Sequence, residues 1–242
     1  MRSIITLLLT ALFATRATTS PISAPVIDTV QIKPIVATVQ TTPVGDTAQA
    51  TPIKVSNIST TAPTLPKGYV LATDAEFTGS SSGDFHYIGD AEYVAIPNVI
   101  KGIRVTSYQG MFHYSGVKGV YSDNPNIESM AFMFKGTTSD TLTVTLNTAN
   151  TTEMSQMFQD SNAKVLDLSA MDVSSVVHMS SMFDGAKATV IDLSGWNMRN
   201  VYYTNTMFAD ALATTGYART KQDADKLNKS TDKPLGLTFT VK

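Results

Sequence analysis

The dipeptide Met-Phe occurs five times, at Met111-Phe112, Met133-Phe134, Met157-Phe158, Met182-Phe183 and Met207-Phe208, with steps of 22, 24, 25 and 25 residues. Self-similarity at such a period confines a chain to stacked-repeat architectures, because one short unit cannot bury its apolar face alone. Around the third and fourth copies the match widens. Val165-Leu-Asp-Leu-Ser169 returns as Val190-Ile-Asp-Leu-Ser194, each starting eight residues past its Met.

Two periodicities alternate within a repeat. Leu166 and Leu168 fall on one face, Asp167 and Ser169 on the other, which is the period of a short strand with one buried side. The same register turns Leu142, Val144, Ile191 and Leu193 inward. Val176, Met179, Met182 and Phe183 then recur at three- and four-residue steps, as do Ile127, Met130, Met133 and Phe134, predicting a helical face about two turns long. Asn126, Asn150, Ser175 and Asn200 precede these stretches as N-caps, and Glu153 stands three residues after Asn150 as a capping box requires. The expected fold is an α/β repeat solenoid over residues 111–210, with strand, turn and short helix in each unit. Ten of the eleven Met residues lie within it, where a thioether packs beside Phe in the gap between layers.

The flanks differ in composition. Residues 1–20 hold a short apolar run after Arg2 and small residues near Ala17, which predicts a secretory leader cleaved between Ala17 and Ala24; the competing reading is a retained N-terminal helix. The run is too short to span a bilayer. Residues 21–64 carry four charged residues, six of the ten Pro and nine Thr, a stalk or linker reaching up to ~130 Å at roughly 3.1 Å per residue. Within it Ile27-Asp-Thr-Val-Gln-Ile32 alternates well enough to add a strand to a partner sheet. Residues 65–110 predict a small antiparallel β cap from Phe85-His-Tyr-Ile88, Tyr93-Val-Ala-Ile96 and Ile103-Arg-Val-Thr106. Residues 211–242 predict a C-terminal cap, with a polar helix from Thr220 to about Asn228 and a strand through Leu235, Leu237, Phe239 and Val241.

Catalytic chemistry finds little support. The chain has no Cys, which excludes disulfides and thiolate chemistry, and its three His fall in different elements. Net charge is -2, without the basic footprint that nucleic acid requires. Ser and Asp recur as columns of the stack, so no enzyme, cofactor or metal site is expected. The Asp123, Asn147, Asp172, Asn197 column reads either as Ca²⁺ ligands or, in its ordinary role, as side chains satisfying turn backbone. The outward strip Thr143, Asp167, Asp192 with Thr145, Ser169, Ser194 lies beside the aromatic residues of the last repeat. Asp167, Asp192, Trp196 and Tyr203 are therefore the candidate ligand contacts, for a sugar ring or a protein partner. The alternative has Trp196 filling the end of the core and Tyr202 and Tyr203 meeting the C-terminal cap.

Residues 166–183, Leu-Asp-Leu-Ser-Ala-Met-Asp-Val-Ser-Ser-Val-Val-His-Met-Ser-Ser-Met-Phe, resemble the leucine-rich repeat of BspA-type bacterial surface proteins, which reads roughly LDLSxFDTSNVTxMSxMF. Residues 191–208 match more loosely, with Trp196, Asn197 and Thr204 departing from it, and Tyr93-Val-Ala-Ile-Pro97 with Gly102-Ile-Arg-Val-Thr106 resembles the family's cap. The resemblance implies a short leucine-rich-repeat-like solenoid, secreted or on the cell surface, that adheres without catalysis to a host or neighbouring-cell protein or glycan. Similar repeats in phage proteins imply the alternative, a virion fibre or tail-tip component that would form a homo-oligomer.

Overall fold

The structure, a computed structural model, describes residues 64–79 and 83–242. The expected leader over 1–20 and nearly all of the stalk over 21–64, including Ile27-Asp-Thr-Val-Gln-Ile32, lie outside the described residues.

In chain order the strands are β1 (Val70–Leu71), β2 (Phe77–Gly79), β3 (Phe85–Tyr87), β4 (Tyr93–Ala95), β5 (Val99–Ile100), β6 (Ile103–Arg104), β7 (Gly119–Ser122), β8 (Thr143–Leu146), β9 (Val165–Asp167), β10 (Val190–Leu193) and β11 (Thr215–Ala218). Helix α1 (Lys221–Asn228) and β12 (Thr238–Val241) follow. The chain is a repeat solenoid. Each pass contributes one strand to a parallel ladder, with Val94, Val120 and Val144 in one register column and Leu166, Ile191, Gly216 and Phe239 in another. These columns form two four-stranded sheets, β1-β4-β7-β8 and β9-β10-β11-β12.

The Met-Phe segments are not helices. Phe132, Gln156, Ser181 and Thr206 have positive φ, in the column begun by Gly110, and four residues later so do Gly136, Asp160, Gly185 and Asp210, in the column begun by Tyr114. Left-handed residues at that interval cannot belong to a right-handed helix. The backbone is satisfied in another way. The N–H groups of Met154, Gln156, Phe158 and Asp160 donate to the carbonyls of His178, Ser180, Met182 and Asp184 at 2.8–2.9 Å, and those of Met157 and Gln159 close i→i+3 turns on Met154 and Gln156. A parallel ladder of turns thus runs along the stack opposite the strands. Tight turns bring side chains back at three- and four-residue steps, so the ladder reproduces the spacing of a helical face.

The expected caps of those helices act elsewhere. The side chains of Asn150, Ser175 and Asn200 donate to the carbonyls of Pro125, Ala149 and Ser174 in the preceding pass at 2.8, 2.7 and 2.6 Å. Glu153 accepts from Ser155 N–H at 2.6 Å and makes no capping box.

The aromatic column is continuous. Phe112, Phe134, Phe158, Phe183 and Phe208 stack with ring centroids 6.0, 5.5, 5.8 and 5.5 Å apart, closed by Tyr87 at one end and Phe239 at the other. Met111, Met133, Met157 and Met182 are fully buried beside it.

The flanks join the stack more closely than separate caps would. β2 pairs antiparallel with β3, and β5 with β6, but β1 and β4 run parallel to β7 and extend its sheet. Val94 and Ala95 are both buried in that parallel arrangement. At the other end β11 and β12 extend the second sheet in the same way, and α1 is capped by Thr220, whose hydroxyl accepts from Asp223 N–H at 3.1 Å.

The sheet breaks between β8 and β9 because the passes differ in phase. Met111 to Gly119, Met157 to Val165, Met182 to Val190 and Met207 to Thr215 are each eight residues, whereas Met133 to Thr143 is ten. The two extra residues keep inward side chains inward, since a strand's side-chain period is two. They nevertheless carry β8 past the level of β9, so that Lys164 N–H still reaches Asp140 O at 2.9 Å while pairing beyond that point stops.

Candidate functional site

The four expected contact residues do not converge. Asp167 lies exposed on β9, its Oδ1 accepting from Ser169 N–H at 3.1 Å and from Ser169 Oγ at 2.7 Å. Asp192, one pass on, is only 5% exposed: Ser194 N–H donates to it at 2.9 Å and Lys242 Nζ at 2.5 Å. Burial alone would raise the Asp192 carboxyl, but the bonds from Lys242 and Ser194 outweigh it and hold the group below the usual carboxylate range. The same contact raises the Lys242 ammonium, and its Nζ also lies 5.4 Å from the Tyr217 ring centroid.

Trp196 has no exposed surface. Its Nε1 donates to Leu168 O at 2.7 Å and its ring packs 6.4 Å from Phe183, so it fills the core. The preceding Gly195 permits this approach: a Cβ there would stand 1.8 Å from Ser169 O.

Tyr203 sits on the ladder side, in the bridge column Ser107, Ser129, Glu153, His178, Tyr203. Its ring stacks on His178 at 4.4 Å and an interplanar angle of 2°, yet it stays 51% exposed, and Tyr202 is 75% exposed. Both amides donate to Val177 O, at 3.1 and 3.2 Å, so the backbone beneath the two rings is fixed by the pass below. A pair of exposed rings on a hydrogen-bonded ladder can stack on a sugar face or anchor a protein partner without first ordering a loop.

The Asp/Asn column turns its side chains onto local backbone. Asn147, Asp172 and Asn197 accept from the N–H two residues on, at 3.3, 2.9 and 3.3 Å, and these bonds lower the Asp172 carboxyl. Among the described residues no three acidic or His side chains gather as metal ligands, and no helix is long and apolar enough to cross a membrane.

One feature of the sheet side escaped the sequence reading, although its signal is there in the ten-residue step from Met133 to Thr143. An opening of about 580 Å³ lies between β8 and β9, and Thr143, Asp167 and Ser169 of the expected strip border it.

Residues 106–221 match the family model described as "Mycoplasma protein of unknown function, DUF285". The matched span covers the passes from β7 through β11, so this part of the chain is related to a known repeat family. No curated protein and no solved structure matches the chain.

Proposed function

We propose that this protein is a BspA-like leucine-rich-repeat surface protein, secreted or held at the cell surface, whose stack is a non-catalytic binding or adhesion module. The observation that carries the reading is the Tyr202 and Tyr203 pair, exposed on backbone fixed by the pass below. Aromatic rings kept in water on a rigid support favour contact, because few degrees of freedom are lost when a partner covers them. Its partner is a host or neighbouring-cell surface protein or glycan. The family match over residues 106–221 and the BspA-type pattern of residues 166–183 support the same reading.

The test is a double Tyr202→Ala, Tyr203→Ala variant on glycan arrays, immobilised matrix proteins and whole cells. Exposed positions tolerate substitution within about 0.5 kcal/mol, so the variant should stay folded. Binding should fall at least about tenfold. Binding equal to that of the parent protein on every surface would refute the assignment of this face.

A further inference from the structure

The turn ladder is open at its last pass. In the earlier passes alternate N–H groups donate to carbonyls of the next one, as Met179, Ser181, Phe183 and Gly185 do to Tyr203, Asn205, Met207 and Ala209 at 2.7–2.9 Å. The corresponding groups of the last pass belong to Thr204, Thr206, Phe208 and Asp210. Among the described residues only the N–H of Phe208 has a partner, Asp232 Oδ2 at 3.4 Å. The protein thus already places one carboxylate where a further carbonyl of the ladder would stand, and the Thr204 N–H, directed to the same side, is left without one.

A cavity of about 140 Å³ lies on that side, with Thr204, Met207 and Phe208 on the wall of the last pass and Lys226, Leu227 and Lys229 on that of α1. Thr204 makes room for it. It stands in the column where Met130, Met154 and Met179 are fully buried, and its side chain is too short to fill the same space.

The cavity is rich in donors. Lys226 Nζ donates to Met198 O and Val201 O at 3.3 and 3.1 Å, which leaves one of its three N–H groups unused. Lys118, Lys221 and Lys242 each pair with a carboxylate, whereas among the described residues neither Lys226 nor Lys229 does. Asp232 is engaged at both oxygens, by Phe208 N–H and by the Ser230 hydroxyl. At the negative end of α1, Lys226 O and Leu227 O accept from Lys229 and Ser230 N–H at 3.3 and 3.1 Å, so these carbonyls do not oppose an anion unscreened.

An unpaired backbone donor beside two ammonium groups fits an anion, and the apolar wall of Met207, Phe208 and Leu227 fits an apolar group attached to it. A cavity of about 150 Å³ holds a benzene-sized group, so this one admits a single side chain and not a whole small molecule. Carboxylate and apolar side chain share one Cα at the end of a polypeptide, whereas an acidic sugar brings the charge without the apolar group. We propose that this cavity captures the free C-terminus of a partner protein. The carboxylate takes the Thr204 N–H and the Lys226 and Lys229 ammonium groups, and an apolar last side chain of about the size of leucine lies against Met207 and Leu227.

The site is separate from the tyrosine pair and is tested separately, by amide NMR at residue 204 of the full chain. N-acetyl-leucine, a minimal C-terminus, should shift that amide and saturate with a Kd of about 1 mM or below. N-acetyl-leucine amide, which lacks the charge, and acetate, which lacks the side chain, should each bind at least about tenfold more weakly. Thr204→Met restores the residue of the column, so it should fill the cavity and abolish the response in a protein that stays folded. Lys229→Glu, at an exposed position, should weaken N-acetyl-leucine at least about tenfold with the rest of the spectrum unchanged. No shift at about 10 mM N-acetyl-leucine, or equal binding of its uncharged amide, would overturn the proposal. Acetate binding as tightly would make the cavity a bare anion site, and glucuronate binding more tightly would assign it to acidic sugars; either result overturns the C-terminal reading.

Discussion

Phe158 is the middle ring of the aromatic column, fully buried, with Phe134 at 5.5 Å and Phe183 at 5.8 Å. Replacing it with Ala removes a side chain whose burial is worth up to about 3 kcal/mol and leaves a cavity. The surroundings cannot collapse into that cavity, because the backbone is held from both sides: Phe158 N–H donates to Met182 O, and Met157 O accepts from Phe134 N–H, both at 2.9 Å. Buried Phe→Ala changes cost about 3–5 kcal/mol, and losing two ring contacts worth about 0.5–1.5 kcal/mol each places this one near the upper end. With a urea slope of about 2 kcal/mol/M, the unfolding midpoint should fall by about 2 M. Two probes should follow the titration: far-UV circular dichroism for the whole stack, and emission from Trp196, the single tryptophan, which reports on the pass beyond Phe183. Both transitions should move together, since each pass is bonded to the next. A midpoint shift under about 0.5 M would refute the burial argument, and a Trp196 transition left in place while the dichroism shifts would refute the coupling.

Asp192→Asn should lower the urea midpoint at pH 7. The carboxyl's depressed pKa contributes stability above its unfolded value of about 3.9, and that stability is lost as pH falls through the folded value, so parent and variant midpoints should converge near pH 2. The raised Lys242 pKa adds a second limit: its contribution is complete below an unfolded value of about 10.4 and is lost as pH rises through the folded one. A midpoint difference that persisted unchanged at pH 2 would show that Asp192 acts through shape and not through charge. Thr148→Val should raise stability by about 1 kcal/mol, because the buried Thr148 hydroxyl has no hydrogen-bond partner among the described residues and valine keeps its shape. A lower midpoint in thermal or urea unfolding would mean that the hydroxyl is satisfied in solution.

The strand faces were legible in the sequence because period two has a single structural meaning. Leu166, Leu168, Ile191 and Leu193 are all 1% exposed or less, on the side the alternation assigns them. Asp192 breaks that rule: its place in the strip says outward, but Lys242, fifty residues on, comes over it. The helical reading failed for a different reason. Steps of three and four residues are shared by a right-handed helix and by successive i→i+3 turns, and only backbone dihedrals separate the two. Gly136, Asp160, Gly185 and Asp210 form a column of residues that tolerate the left-handed region, and this was the available sign. Its partner column concealed the pattern, because Phe132, Gln156 and Thr206 are not residues that announce a positive φ. That at least one of Tyr202 and Tyr203 is exposed was legible from their place off the Val201, Met207 face, and both are, whereas the burial of Trp196 followed from the close approach at Gly195, one residue earlier.

The fivefold recurrence of the Met-Phe motif does not by itself keep a solenoid regular; phase does. A pass must reach its strand a fixed distance after its turn, and β8 reaches it two residues late. One extra residue would have turned Val144 outward and exposed the core, so its cost would fall on stability. Two extra residues leave Leu142, Val144 and Leu146 inward, each at most 9% exposed, and shift the cost onto backbone pairing with β9. The turn ladder meanwhile keeps its bonds at this pass, Phe134 N–H to Met157 O at 2.9 Å and Gly136 N–H to Gln159 O at 2.7 Å. The stack is thus held on one side and open on the other, and a folded chain can present unpaired strand edges there without losing its core.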